Sequence, residues 1–166
     1  MERRRVLMLA DAQNLFYSLR DSYGSEARVD FLKLREIVCR RAKGTSIKSV
    51  IYFTTLREDL SGLVEFLVCN GFDVSMKYME DKYKGDVDSS IIVDALSCAD
   101  DFDVFVICSG DSDYIPLIEN LLQKGKEVGV VSFERTTARK LEAYPNWIVY
   151  LDGRIILKMN VPQEQS

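Results

Sequence analysis

The chain has 166 residues, 47% of them hydrophobic and 29% charged, which fits one globular domain and argues against disorder. Its 22 basic and 26 acidic side chains leave a net charge of −4. That argues against a constitutive nucleic-acid coat protein, though not against an enzyme that meets nucleic acid at one local patch. It contains no histidine, which excludes imidazole triads, imidazole general bases and zinc fingers; acid–base or metal chemistry must come from carboxylates, Cys, Lys or Tyr.

The opening "MERRRVLMLADAQN" sets basic residues before an apolar stretch that stops at Asp11, too soon for the apolar core of a signal peptide. "RVLMLA" (5–10) is predicted as a strand buried on both faces, followed by a helix over 12–22. Phe31, Leu34, Ile37 and Val38 form the apolar stripe of a second helix, with Asp30 placed to cap it. A second buried strand covers 49–55. Leu60, Leu63, Val64, Leu67 and Val68 then keep helical spacing up to Gly71, where a left-handed cap is wanted.

"FDVSMKY" (72–78) fits a more exposed strand, and residues 89–99 a mostly apolar helix. Strand 103–108 precedes a helix whose stripe is Tyr114, Leu117, Ile118, Leu121 and Leu122, with Pro116 in its first turn and Gly125 at its end. Strand 127–133 and a helix over 135–143 follow. "WIVYL" and "RIILKM" flank Asp152-Gly153, the turn signal of a hairpin. Strands alternating with helices imply an α/β fold, a mostly parallel sheet of five or so strands covered on both faces. A C-terminal antiparallel hairpin would join its edge. Residues 1–160 read as a single domain and 161–166 as a frayed tail. No apolar run is long enough to span a membrane, and the four cysteines, Cys39, Cys69, Cys98 and Cys108, lie in apolar segments without CxxC spacing. Buried thiols in a reducing cytoplasm are the expectation.

In open α/β sheets, sites form outside the carboxyl ends of the strands. Asp11 and Asn14 follow the first strand. Ser109, Asp111 and Asp113 follow the strand at 103–108, and "KYKGDVDSSIIVDAL" contributes Lys84, Asp86, Asp88 and Asp94. Each acid taken alone can serve as a helix cap, worth about 1 kcal/mol. Taken together they point elsewhere. Two unit charges at about 4 Å repel by about 4 kcal/mol at an effective dielectric of 20, and a divalent cation removes that cost. Oxygen ligands without His or thiolate favour Mg²⁺ or Mn²⁺ over Zn²⁺, and such sites suit metal-assisted phosphodiester hydrolysis. Asp88 and Asp94 stand about 120° apart around a helix, so Asp88, at the helix start, is the better ligand, with Asp94 at the site's edge.

"LADAQNLFYSL", "KGDVDSSIIVDAL" and "SGDSDYIPLIENLLQKGKEVGVVSF" together resemble the NYN domain (LabA-like) family, relatives of PIN-type nucleases. The resemblance spans residues 5 to about 150. It implies a PIN-like three-layer domain, an acidic pocket for Mg²⁺ or Mn²⁺ and, in active members, ribonuclease activity. Asp11, Asp88, Asp111 and Asp113 would be the metal-binding, catalytic acids. Asn14 would line the pocket, Ser109 would brace the turn or a phosphate, and Asp94 matches a later family Asp. Asn146 stands where relatives often carry an acid before the last strand.

RNA is the expected partner. Lys82, Lys84, Arg135, Arg139 and Lys140 are candidates to hold its backbone, and Tyr17 and Tyr114 to stack on bases. Two other classes fit less of the pattern. A regulatory module that retains the acidic pocket suits the modest net charge, and the hairpin would suit a homodimer contact. A phosphatase lacks the D-x-D-x-T stretch it would need after the first strand.

Overall fold

The computed structural model of the protein describes residues 2–55, 60–78 and 87–158. Six strands, β1 (Arg5–Asp11), β2 (Ser46–Thr55), β3 (Asp73–Tyr78), β4 (Val104–Cys108), β5 (Glu127–Ser132) and β6 (Trp147–Tyr150), form one sheet in the order β3-β2-β1-β4-β5-β6. Every neighbouring pair is parallel. The helices are α1 (Ala12–Tyr23), α2 (Phe31–Ala42), α3 (Ser61–Cys69), α4 (Val87–Ser97) and α5 (Ile115–Gln123).

The sheet is covered on both faces, which is why its central strands are continuous apolar runs. Val6, Met8 and Ala10 of β1 pack with Leu15 of α1 and Leu34 of α2. Leu7 and Leu9, on the opposite face, pack with Ile91 of α4 and Leu117 of α5. This is the three-layer α/β arrangement. The chain winds outward from β1 through β2 to β3, then crosses back to β4 on the other side of β1. The reversal lies between β1 and β4, where a doubly wound sheet opens a crevice at its carboxyl edge.

Local chemistry sets the element ends. Asp30 caps α2 by accepting from the Lys33 N–H at 3.0 Å, and Gly71 takes a φ of +82° just past α3, as its position in the sequence requires. Two elements differ from expectation. The segment 135–143 forms two short 3₁₀ turns, Glu134–Thr136 and Arg139–Ala143, in place of a helix. The Thr137 hydroxyl bonds the Phe133 carbonyl at 2.7 Å and the Ala138 N–H donates to the Gly110 carbonyl at 3.0 Å, so this segment bonds across to the loop after β4. Among the described residues the expected C-terminal hairpin does not form: β6 runs parallel to β5, and Asp152 instead caps a 3₁₀ turn at Gly153–Ile155. Beyond it, Ile156 makes one antiparallel bridge to Val29.

The cysteines also depart from expectation. All four are free thiols, but only Cys108 is buried; Cys39 and Cys98 are half-buried and Cys69 is exposed. No helix among the described residues is long and apolar enough to cross a membrane.

The amino edge of the sheet is pinned by a small polar network. Trp147 lies flat against Gly129, where any Cβ would run into the indole. Its Nε1–H donates to Glu127 Oε1 at 2.8 Å, and Arg4 donates to the other carboxylate oxygen. Asn146 belongs to this edge: its side-chain oxygen accepts from the Val128 N–H at 2.7 Å, at the opposite end of the strands from the crevice. Partial burial opposes the Glu127 charge, but the bonds from Trp147 and Arg4 outweigh it and hold its carboxyl below the usual glutamate range.

Replacing Glu127 with Gln is expected to cost about 1.5–3 kcal/mol at pH 7, the worth of hydrogen bonds to a charged group, read by urea unfolding. Because folding lowers this pKa, its stabilisation is complete above the unfolded value of about 4.3. It is lost as pH falls through the lower folded value, so the gap between wild type and variant should close in acid.

Candidate metal centre

Three acids converge at the crevice. Oxygens of Asp88, Asp111 and Asp113 all lie within 4.8 Å of one another. Asp88 sits in the first turn of α4. It is inside the helix rather than capping it, and its charge faces the positive end of the helix dipole. Asp111 caps the 3₁₀ turn Ser112–Tyr114 by accepting from the Asp113 N–H at 2.9 Å. Asp111 is half-buried and Asp113 exposed, so the cluster opens to solvent.

Asp11 forms the wall behind them. It ends β1, is only 7% exposed and caps α1 through Oδ1, which accepts from the Asn14 N–H at 3.1 Å. Its other oxygen faces Tyr114, whose hydroxyl lies 3.1 Å from Asp11 Oδ2 and 2.7 Å from Asp88 Oδ1. One phenol therefore ties the buried acid to the triad. Burial raises the Asp11 pKa, as does the charge of Asp111; the bonds from Asn14 and Tyr114 act against that rise. Burial and the two carboxylates push the Tyr114 pKa far up, so the hydroxyl keeps its proton. Capping and clustering are thus not rival roles for Asp11, since one oxygen serves each.

The loops carrying these acids are cross-braced. Asn14 Oδ1 accepts from the Gly110 N–H at 3.2 Å, tying the start of α1 to the loop after β4. Ser109 is fully buried, and its hydroxyl accepts from the Asp111 N–H at 3.2 Å, bracing the turn. Gly110 admits no side chain: a Cβ would lie 2.9 Å from the Thr136 carbonyl oxygen and the Thr137 Cα.

The remaining candidates fall in several places. Asp94 lies further along α4 and accepts from the Tyr52 hydroxyl at 2.7 Å. Tyr52 is the residue in register with Asp11 on the neighbouring strand, which places Asp94 beside the crevice. Lys82, Lys84 and Asp86 lie outside the described residues. Arg139 and Lys140 are exposed and directly follow Ala138, the residue bonded to Gly110. Arg135 is 3.4 Å from Asp21. Tyr17 is 67% exposed, whereas Tyr114 is fully buried and unavailable for stacking on a base. Its bridging role is the part sequence reasoning missed. The signal was there: a tyrosine on an apolar helix stripe, one residue after S-G-D-S-D, carries a hydroxyl into the core that must find a polar partner.

The donor set is all oxygen, and none of the ion pairs among the described residues involves Asp11, Asp111 or Asp113. Such a cluster of carboxylates makes a site able to coordinate a hard metal ion.

The comparisons with known proteins agree with this geometry. A family model described as the NYN domain matches residues 5–152. The low amplitude and bright protein LabA of Synechococcus elongatus is 25% identical over 151 residues, covering 82% of this chain and 78% of that protein. The crystal structure of a protein of unknown function from Vibrio parahaemolyticus superposes with a TM-score of 0.81 at 25% identity, across 95% of this chain and 100% of the other. With its motif blocks in order around one acidic crevice and the family model spanning nearly its whole length, the chain belongs to the NYN domain family.

Proposed function

We propose that the protein is a metal-dependent ribonuclease that hydrolyses RNA phosphodiester bonds. The observation that carries this reading is the meeting of Asp88, Asp111 and Asp113, with oxygens within 4.8 Å of one another, at the switch point of a doubly wound sheet. Their hard, all-oxygen donor set fits Mg²⁺ or Mn²⁺. Asp88, Asp111 and Asp113 would hold the ion, with Asp11 and, at the margin, Asp94 completing the acidic wall. When bound, such an ion supplies Lewis acidity toward the phosphate and an attacking water.

The other groups orient and hold. Tyr114 keeps Asp11 and Asp88 at a set spacing through its two contacts. Asn14 and Ser109 fix the loops. Arg139 and Lys140, exposed beside the loop after β4, would take RNA phosphates, and Lys84 is a further candidate in the same role.

Purified protein should bind Mn²⁺ in titration calorimetry, and cleavage of single-stranded or structured RNA should need that ion and stop with chelator. The Asp111→Asn variant, which loses a ligand, should fall by more than the about 100-fold upper range seen for supporting residues. Metal binding without cleavage of any RNA would favour a regulatory module. Cleavage that survives in the variant would point to a contaminant.

Replacing Tyr114 with Phe removes only a hydroxyl. Mn²⁺ affinity is expected to fall about 10-fold, with unfolding free energy lowered by about 1 kcal/mol. Unchanged affinity would show that the carboxylates hold their positions without it.

A further inference from the structure

A second surface bears on the same substrate. The chain carries a net charge of −4, which repels RNA at long range, so a binding strand needs a local concentration of cations. Residues 28–48 supply it: Arg28, Lys33, Arg35, Arg40, Arg41, Lys43 and Lys48 stand against only Asp30 and Glu36. On α2, the spacing of Lys33, Ile37, Arg40 and Arg41 puts them on one face, and that face lines a groove of about 400 Å³ against β6.

The groove has a mixed character. Ile37, Val149, Leu151 and Ile155 give it an apolar floor; Lys33, Arg40, Arg41, Lys43 and Arg154 supply five cations, and Asp152 the one carboxylate. Of those cations, Lys33, Arg40 and Lys43 are lightly committed. Glu36, half exposed, is shared by Lys33 at 3.7 Å and Arg40 at 2.5 Å. Asp152 holds Arg154 at 2.7 Å, Arg41 stacks over Trp147, and Lys43 enters no ion pair among the described residues. The exposed Glu36 pairs are weak, whereas Asp152 grips Arg154 through Nε and Nη2 together. Arg35 differs: it covers Phe72 and bonds the Asn70 carbonyl, so it serves the fold. Guanidinium forks favour phosphate, and the apolar floor suits the faces of bases.

At Leu151 and Asp152 the groove reaches the carboxyl edge of the sheet, while Arg41, stacked on Trp147, and Lys43, next to the Ala42 carbonyl that bonds Arg4, lie toward the amino edge. Leu151 donates to the Ser132 carbonyl at 2.8 Å, the Ser132 and Thr137 hydroxyls are 2.6 Å apart, and Thr137 abuts Gly110, the residue before Asp111. In the sheet, β6 lies two strand spacings from β4, about 10 Å.

We propose that the groove between α2 and β6 binds single-stranded RNA as an accessory site that holds the strand beyond the point of cleavage. This rests on the ribonuclease reading for its biological sense, but binding at the groove can be measured without catalysis.

The test uses full-length protein carrying Asp111→Asn, so that RNA survives, and a fluorescein-labelled single-stranded RNA read by anisotropy across a salt series. Adding Arg40→Gln and Lys43→Gln is expected to weaken binding about 10-fold or more. It should also reduce the slope of log affinity against log salt by about 0.7 for each phosphate no longer neutralised. Lys124→Gln with Lys126→Gln changes net charge equally, just before β5 and outside the groove lining, and should leave affinity within about twofold, while thermal melting checks that each variant folds. Unchanged affinity and slope in the groove variant, or no RNA binding at low salt, would overturn the accessory site; if wild-type protein still cleaved RNA, the ribonuclease reading would survive that failure. RNA bound through the groove but never cleaved by wild-type protein would support the accessory site and overturn the ribonuclease reading. Displacement of RNA by polyglutamate at lower concentration than by unlabelled RNA would overturn the accessory site in favour of an acidic protein partner.

Discussion

Like charges held together at one seam are the constraint on which this molecule turns. Carboxylates repel, and a chain optimised only for stability would spread them apart. Here Asp88, Asp111 and Asp113 share a space less than 5 Å across, with Asp11 buried behind them. Neutral donors hold the group: the Tyr114 hydroxyl, the Asn14 and Asp113 N–H groups and the tightly turned loop at Ser109 and Gly110. These offset part of the repulsion, and the cluster as a whole is able to coordinate a metal ion. The parallel sheet makes such crowding feasible, because the carboxyl ends of β1 and β4 point the same way from adjacent strands.

The two ends of the sheet do different work. At the amino edge, Arg4, Glu127, Trp147 and Asn146 are joined to one another or to β5 by hydrogen bonds, which fixes the outer strands at the end away from the acidic crevice. At the carboxyl edge, polar atoms are spent on shaping loops. The brace from Ala138 to Gly110 couples these loops, so the loop after β5 helps set the position of Asp111.

Much of the fold was legible because its signals are local. The continuous apolar runs of β1 and β4, the helical stripe of α5 and the glycine after α3 each follow from one segment and a known period. The acids were legible through their placement after strands and through the family resemblance. What stayed hidden depends on partners far apart in the chain. "DG" between two apolar runs looks like a hairpin turn, but the edge of β5 was open to a parallel partner, and β6 took it. The apolar setting of Cys69 suggested burial, yet the residue sits at the last turn of α3 on its outer side. Residues 135–143 have helical spacing, but Thr137 and Ala138 find better hydrogen bonds at Phe133 and Gly110.

The double duty of Asp11 has a corollary. One of its oxygens holds the first helix and the other faces the acids, so the two jobs are chemically separable. An asparagine there would keep an oxygen for the Asn14 amide, and α1 would begin as before, while the pocket lost a negative charge. Exchanging that one oxygen for nitrogen would therefore lower the charge of the pocket and leave no trace in the backbone.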